Sequence, residues 1–250
     1  MCASQDTRVD REPSGPSEAF AELGRIRLRD NDLPKVLSRV VEIAKDRFPA
    51  VEEASITLIR DGLAHTASFT APLALELDVA QYEAGSGPCM QAASAGVSVS
   101  VSDMADEARW PDFTRVAISS GALSSLSIGL ALDEEVKGAI NMYATTEHAF
   151  DEEATSSAES FAHVASVAIA NILLYESSLL LASQMQSAME SRAVIEQAKG
   201  ILIGERGCDP DEAFRILAKV SQDSNRKLRD VAQALVDKAR AIEDPASPTR

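Results

Sequence analysis

The 250-residue chain has little of what most often carries catalysis: three cysteines, three histidines, one tryptophan and 4% aromatic residues. Cys2, Cys89 and Cys208 lie far apart. An odd count without ligand-type spacing argues against a disulfide scaffold and a zinc site, and it fits a reducing compartment. His65, His148 and His163 show neither metal-ligand nor nucleophile–base spacing. No phosphate-binding Walker loop and no dinucleotide fingerprint is present. The sequence therefore predicts no catalytic residues, no metal centre and no cofactor. No uninterrupted apolar run reaches about 18 residues, so no membrane-spanning helix is expected. The start, MCASQDTRVDREPSGPSE, lacks an apolar signal core. It reads as the flexible arm of a mature cytoplasmic protein.

Basic residues are also scarce. Lys and Arg number 24 against 39 Asp and Glu, for a net charge of −15. For the chain as a whole that balance argues against a nucleic-acid partner. The shortage is uneven, however. Residues 1–185 hold 13 bases against 28 acids, whereas residues 186–240 hold 10 against 9. The acidity sits in the first three-quarters and the bases cluster after it, which suggests two functional halves.

What is present is ordinary globular material, 45% hydrophobic and 25% charged. A first helix is expected from Ser17 to Arg29. A second follows Asp32 as N-cap, with Leu33, Val36, Leu37, Val40, Val41 and Ala44 on its apolar face. In "ASITLIRDGLAHTASF" two β-type runs flank Asp61-Gly62, a tight hairpin signal. The run from Leu73 to Tyr82 reads as helix. Gly85, Gly87 and Pro88 break it, and a short helix covers Cys89–Ala95. "VSVSV" is a strand, and Pro111–Ser119 is a helix. "LSSLSIGLAL" and "VKGAINMYATT" are strands joined across Asp133-Glu134-Glu135. The pattern predicts an α+β domain, a mainly antiparallel sheet with flanking helices on one face.

From Asp151 the pattern is helical throughout. No Gly or Pro interrupts residues 151–199, a length beyond the usual globular helix. Phe161, Ala165, Ile169 and Ile172 begin an apolar seam that continues through Leu179, Leu180, Met185 and Met189. Such a seam needs a partner, most simply the same helix of a second chain. A three-helix bundle closes the chain. Its first helix stops at Gly204-Glu-Arg-Gly207. Its second starts behind Asp209-Pro210, with Ala213, Phe214, Leu217 and Val220 inward. Its third runs from Leu228 to Ala241 with Val231, Ala232, Leu235 and Val236 inward.

The segment "SRAVIEQAKGILIGERGCDPDEAFRILAKVSQDSNRKLRDVAQALVD" (191–237) resembles the ANTAR domain of bacterial antiterminators. Ile195-Glu-Gln-Ala-Lys-Gly200, Glu212-Ala-Phe214, Leu217, Ser221, Asn225 and Leu228-Arg-Asp-Val-Ala232 carry the likeness. "YEAGSGPCMQAASAG", "DEARWPDF", "SSLSIGLAL" and "KGAINMYATTEHAFDEE" resemble the GAF domains that precede ANTAR in actinobacterial proteins. The resemblance implies a sensor-type GAF domain joined by a helix, or coiled coil, to an RNA-binding output. It also implies dimers that bind paired hairpins in nascent transcripts and so prevent terminators from forming. The family pattern has Met where Ile203 stands and a charged or aromatic residue at Gly204. Gly204 is expected to loosen the last turn of the first ANTAR helix.

The expected organisation is an arm at 1–16, the GAF domain with its leading helices at 17–175, a connecting helix at 176–190, ANTAR at 191–241 and a tail at 242–250. Phosphates need cations, and loop bases need planar groups. The RNA-binding candidates are Arg192, Gln197, Lys199, Gly200, Arg215, Arg226, Lys227 and Arg229. By charge pattern alone these are solvated helix charges; the ANTAR resemblance is what assigns them to RNA. Phe214 reads as core. Tyr82, Cys89, Met90, Trp110, Phe113 and Tyr143 are candidates to line a GAF ligand pocket, with plain core as the alternative reading. An exposed Cys89 at a helix N-terminus would have a lowered thiol pKa. The competing function is a ligand or redox sensor whose helical tail serves for protein interaction and dimerisation.

Overall fold

A computed structural model describes residues 16–25, 27–133 and 136–243. Residues 1–15 of the expected arm, 244–250 of the expected tail and 134–135 at the tip of the last hairpin lie outside the described residues, while Pro16 already belongs to the first helix and the last helix runs two residues into the expected tail. The chain divides into two compact units, 1–176 and 177–250.

The first unit opens with α1 (Pro16–Leu23) and a 3-10 turn, Leu28–Asp30, in place of one helix to Arg29. Helix α2 (Leu33–Arg47) starts where expected, since the Asp32 carboxylate accepts from the Lys35 backbone amide. Strands β1 (Glu53–Arg60) and β2 (Leu63–Phe69) form a hairpin. Its turn residues Asp61 and Gly62 take φ of 53° and 77°, the two positive values that a type I′ turn requires. Then come α3 (Pro72–Ala84), α4 (Pro88–Ala95), β3 (Ser98–Val101), α5 (Pro111–Ser119), β4 (Ser124–Ala131) and β5 (Val136–Ala144). The sheet order is β2-β1-β5-β4-β3, and every neighbouring pair is antiparallel.

Helices cover both faces of this sheet, not one as the sequence suggested. Alternation along the strands sends Ile56, Leu126, Ile128, Ile140 and Met142 into one core with α1, α2 and the start of α6 (Glu152–Arg206). There Phe48 meets Phe161 edge-on, with ring centroids 5.5 Å apart. The opposite face packs Val99, Val101, Ala139 and Tyr143 against α3, α4 and α5. The three central strands β1, β5 and β4 are buried on both sides, so the strict polar alternation of a half-exposed sheet is missing from their sequence.

Helix α6 is continuous for 55 residues and runs through Gly200 and Gly204. It ends at Gly207, whose φ of 65° and amide bond to the Ile203 carbonyl close the last turn. One eighteen-residue window of α6 reaches a mean hydropathy of 1.7. By length and composition the helix would pass for a membrane span, although no uninterrupted apolar run signals one. Its Ala and Leu content keeps the average high, while Ser, Asn and Glu interrupt each run.

In the second unit, α7 (Pro210–Ser224) is capped by the Asp209 carboxylate, which accepts from the Glu212 amide at 2.7 Å. Helix α8 (Leu228–Glu243) completes the bundle. Ala198, Leu202, Ala213, Leu217, Val231, Ala232 and Val236 form its core.

Candidate functional site

In the second unit, the residues proposed for RNA lie on surface that the small core leaves open. Arg192, Gln197, Arg215, Arg226, Lys227 and Arg229 are exposed. They differ in how their charge is held. Lys199 Nζ sits 3.0 Å from both carboxylate oxygens of Glu196, and only 16% of its side chain is exposed. Arg229 Nε lies 3.3 Å from Asp230. Arg226 donates to the Asp230 carbonyl at 3.4 Å. Arg192, Arg215 and Lys227 have no acidic partner among the described residues. Among the RNA candidates these three are the side chains that no ion pair holds and no backbone carbonyl engages; Arg206, Lys219, Lys238 and Arg240 of the same unit are likewise exposed with no acidic partner among the described residues.

Packing of α6 on α8 adds a groove of about 430 Å³, lined by Gln197, Gly200, Ile201, Val236, Ala239 and Arg240. It joins two of the expected residues, Gln197 and Gly200, to a guanidinium the sequence reading passed over. Arg240 lies 40 residues from Gly200 along the chain, and only the helix pairing brings them together. A Cβ built on Gly200 meets nothing within 4 Å, so the chain's own packing does not require a glycine there. A smaller cavity of about 240 Å³ between the same helices is lined by Glu190, Ser191, Arg229, Asp230 and Gln233, among others.

Phe214 corrects an expectation. It is 44% exposed and Val220 is 46% exposed, where helical spacing predicts both inward. Helix α7 buries only Ala213 and Leu217 fully, because a bundle this small can cover just a narrow stripe of each helix.

In the first unit the pocket candidates separate into two groups. Trp110 and Phe113 belong to the apolar core under α5. Arg109 lies 4.2 Å over the Trp110 ring. Tyr82, Cys89 and Tyr143 instead join a buried polar network that spacing alone did not disclose. Its centre is Asp78, fully buried on α3. Tyr143 donates to Asp78 Oδ1 at 2.6 Å and Asn141 at 3.2 Å, while Thr66 donates to Oδ2 at 2.8 Å. Tyr82 shares hydrogen bonds with Thr57 at 2.9 Å and Thr66 at 3.0 Å. Gln81 donates to the Tyr143 hydroxyl and accepts from the Cys89 amide, tying α3 to β5 and α4.

Burial raises the Asp78 carboxyl to about 6, and hydrogen bonds from Tyr143, Ser55, Thr66 and Asn141 limit the rise. Burial also pushes the Cys89 thiol up, with the Asp78 charge adding to the effect. The thiol is fully buried, which removes the exposed low-pKa cysteine a redox role would use. Elsewhere Asp103, Glu147 and His148 bring ligand-type atoms within 4.8 Å of one another, a cluster formed by two loops far apart in sequence. Glu147 and His148 are exposed, and nothing beside them indicates a bound ion.

The family model of the GAF domain matches residues 30–170, more than half of the chain. The chain belongs to the GAF-domain family. The ANTAR domain model matches residues 183–236, so a GAF domain and an ANTAR domain, both regulatory, share one polypeptide. The nitrate regulatory protein of Klebsiella oxytoca is 32% identical over 54 residues, which is 22% of this chain and 14% of that protein. This chain therefore spans only a small part of that relative. Among solved structures, the phycoerythrobilin-bound GAF domain of a cyanobacterial phytochrome aligns with a TM-score of 0.50 at 14% identity. It covers 64% of this chain and 96% of the domain. The substrate complex of fRMsr from Staphylococcus aureus also aligns at 0.50 and 14% identity, covering 63% and 97%. At such identities the likeness is one of fold.

Proposed function

We propose that the protein is a cytoplasmic transcription antitermination regulator, not an enzyme. Its ANTAR domain binds paired hairpins in nascent transcripts, and its GAF domain controls that output. The observation that carries this reading is the set of exposed cations without acidic partners among the described residues, Arg192, Arg206, Arg215, Lys219, Arg226 and Lys227, all within the ANTAR match. Local bases offset the acidity of the rest of the chain, so binding rests on shape and on two copies acting together more than on net charge.

The second copy docks along α6. Val167, Leu174 and Leu181 follow one another at seven-residue spacing and are 50%, 68% and 58% exposed. Met185 and Met189 extend the exposed apolar surface. A heptad seam on a continuous helix suits another copy of itself.

The test is a titration of the full chain against a two-hairpin RNA at fixed salt, beside Arg192→Ala/Arg215→Ala. Each phosphate interaction removed is expected to weaken binding and to lower the salt slope by roughly 0.7–0.9. Equal binding and equal slope for both proteins would rule out these cations as the RNA-binding groups. Phe214 and Val220 support a second reading, in which the bundle docks on a protein. That reading requires removal of residues 186–250 to release a protein partner, with no RNA affinity in the intact chain.

A further inference from the structure

The sheet face beneath α3 and α4 carries a polar block where a core would normally be apolar. Ser55 and Thr57 on β1, Ser125 and Ser127 on β4, and Asn141 and Tyr143 on β5 are all fully buried. The register sets Ser127 opposite Asn141, Ser125 opposite Tyr143, and Ser55 opposite Asn141 on its other side. Asp78 descends onto this block from α3.

Two needs of the block are not met from within. First, three of its buried atoms have no hydrogen-bond partner among the described residues: Ser125 Oγ, Ser127 Oγ and Asn141 Oδ1. They lie on one face of the same two strands, Ser127 directly opposite Asn141 and Ser125 two residues before Ser127. An amide oxygen can only accept, and no described residue donates to Asn141 Oδ1. Leaving such groups unpaired is costly, and native cores rarely leave three together. Second, the Asp78 carboxylate is bonded to Thr66, Asn141 and Tyr143, none of which carries positive charge. A buried carboxylate is ordinarily balanced by a cation. A water molecule would meet the first need but not the second.

The cover sets the size. A Cβ on Gly129 would lie 2.5 Å from the Ala92 carbonyl oxygen of α4, and one on Gly87 would lie 2.4 Å from Gln81 Cγ. With α4 packed this closely on the sheet, the cover excludes a bulky ligand and leaves small ions and water as the candidates.

We propose that this face binds an ammonium-sized monovalent cation, held by Ser125 Oγ, Ser127 Oγ and Asn141 Oδ1 and charge-balanced by Asp78. This names the ligand class for the sensor domain of the proposed regulator. It is tested without RNA, so the two ideas fail separately.

Trp110 is the chain's one tryptophan and packs in the same core cluster as Tyr143, so its fluorescence reports unfolding of this domain. The full chain is unfolded by heat at neutral pH in rising ammonium chloride, and in potassium chloride as a second ion of that size. Choline chloride holds the ionic strength constant. The expected result is a saturable rise in the midpoint, roughly 5–10 °C at a hundredfold excess over the dissociation constant. Asp78→Asn and Ser125→Ala/Ser127→Ala are expected to fold and to lose that rise. No cation-specific rise in the wild type would overturn the proposal and leave water as the occupant. A rise of equal size in both variants would also overturn it, by placing the ion elsewhere. RNA affinity that persists in either case leaves the antitermination reading standing.

Discussion

Lys199 Nζ lies 3.0 Å from each carboxylate oxygen of Glu196, one helical turn away on α6, with most of the lysine side chain covered. A cation neutralised in this way must leave its partner before it can meet a phosphate. Exposed or half-covered pairs of this kind are worth about 0.2–1 kcal/mol. Glu196→Gln is therefore expected to raise RNA affinity about two- to fivefold if Lys199 touches RNA. Filter binding against the two-hairpin RNA decides it. No change in Glu196→Gln, together with no change in Lys199→Ala, would make the pair a purely structural one.

Asp78 links the stability of the sheet domain to pH. Its carboxyl titrates near 6 when folded, above its ordinary value of 3.8, because burial disfavours the charge. The folded state therefore binds the proton more tightly than the unfolded state. The stability from this group is complete below pH 4 and is lost as pH rises through about 6. The other titratable groups facing it are Tyr82, Tyr143 and Cys89, all pushed upward, so none titrates in that window. Asp78→Asn keeps the shape and removes the charge. It is expected to gain about 2–3 kcal/mol over wild type at neutral pH, a gain that vanishes near pH 4. Urea unfolding at the two pH values checks it, in buffer free of ammonium and potassium ions. A pH-independent difference between the two proteins would refute the linkage.

The elements of both units are legible in the sequence because local signals agree. Asp32 and Asp209 cap the helices they precede, and Asp61-Gly62 turns the first hairpin. The two-sided cover of the sheet is not legible, since strands buried on both faces lose the period-two signature that would mark it. The site is legible only in pieces. Tyr82, Cys89 and Tyr143 stand out as pocket residues, but Asp78 and Gln81 are hidden inside an ambiguous apolar helix. Their role comes from hydrogen bonds to strands 60 or more residues away. Phe214 is misplaced for the opposite reason. Helical spacing places it near a buried stripe, but its exposure depends on how narrow that stripe is in a three-helix unit.

The exposed heptad on α6 gives a direct test of the proposed dimer. Replacing Leu174 and Leu181, which are 68% and 58% exposed, with lysine removes two seam positions without touching either core. Like charges facing each other across a coiled coil disfavour it strongly. Light scattering is expected to show a folded monomer whose affinity for a two-hairpin RNA falls by about a hundredfold or more, while a single hairpin binds unchanged. A double variant that remains dimeric would move the interface away from this seam.

Gly200 offers a prediction in which stability and binding move in opposite directions. It sits inside α6, where glycine costs roughly 0.5–1 kcal/mol relative to alanine. Nothing within 4 Å would meet an added Cβ, so no internal packing explains its presence. It lines the same groove as Gln197 and Arg240. Gly204, one turn on, is equally open, so it is the groove beside Gly200 that singles this glycine out for the proposed approach of RNA to the backbone. Gly200→Ala is therefore expected to raise the unfolding midpoint of the helical unit while weakening RNA binding about tenfold, the scale of a single hydrogen bond at close approach. Helical signal against temperature gives the first quantity and the RNA titration the second. If the variant gains stability and binds RNA as wild type does, the groove takes no part in RNA binding. The exposed cations of the ANTAR helices must then account for RNA binding without it.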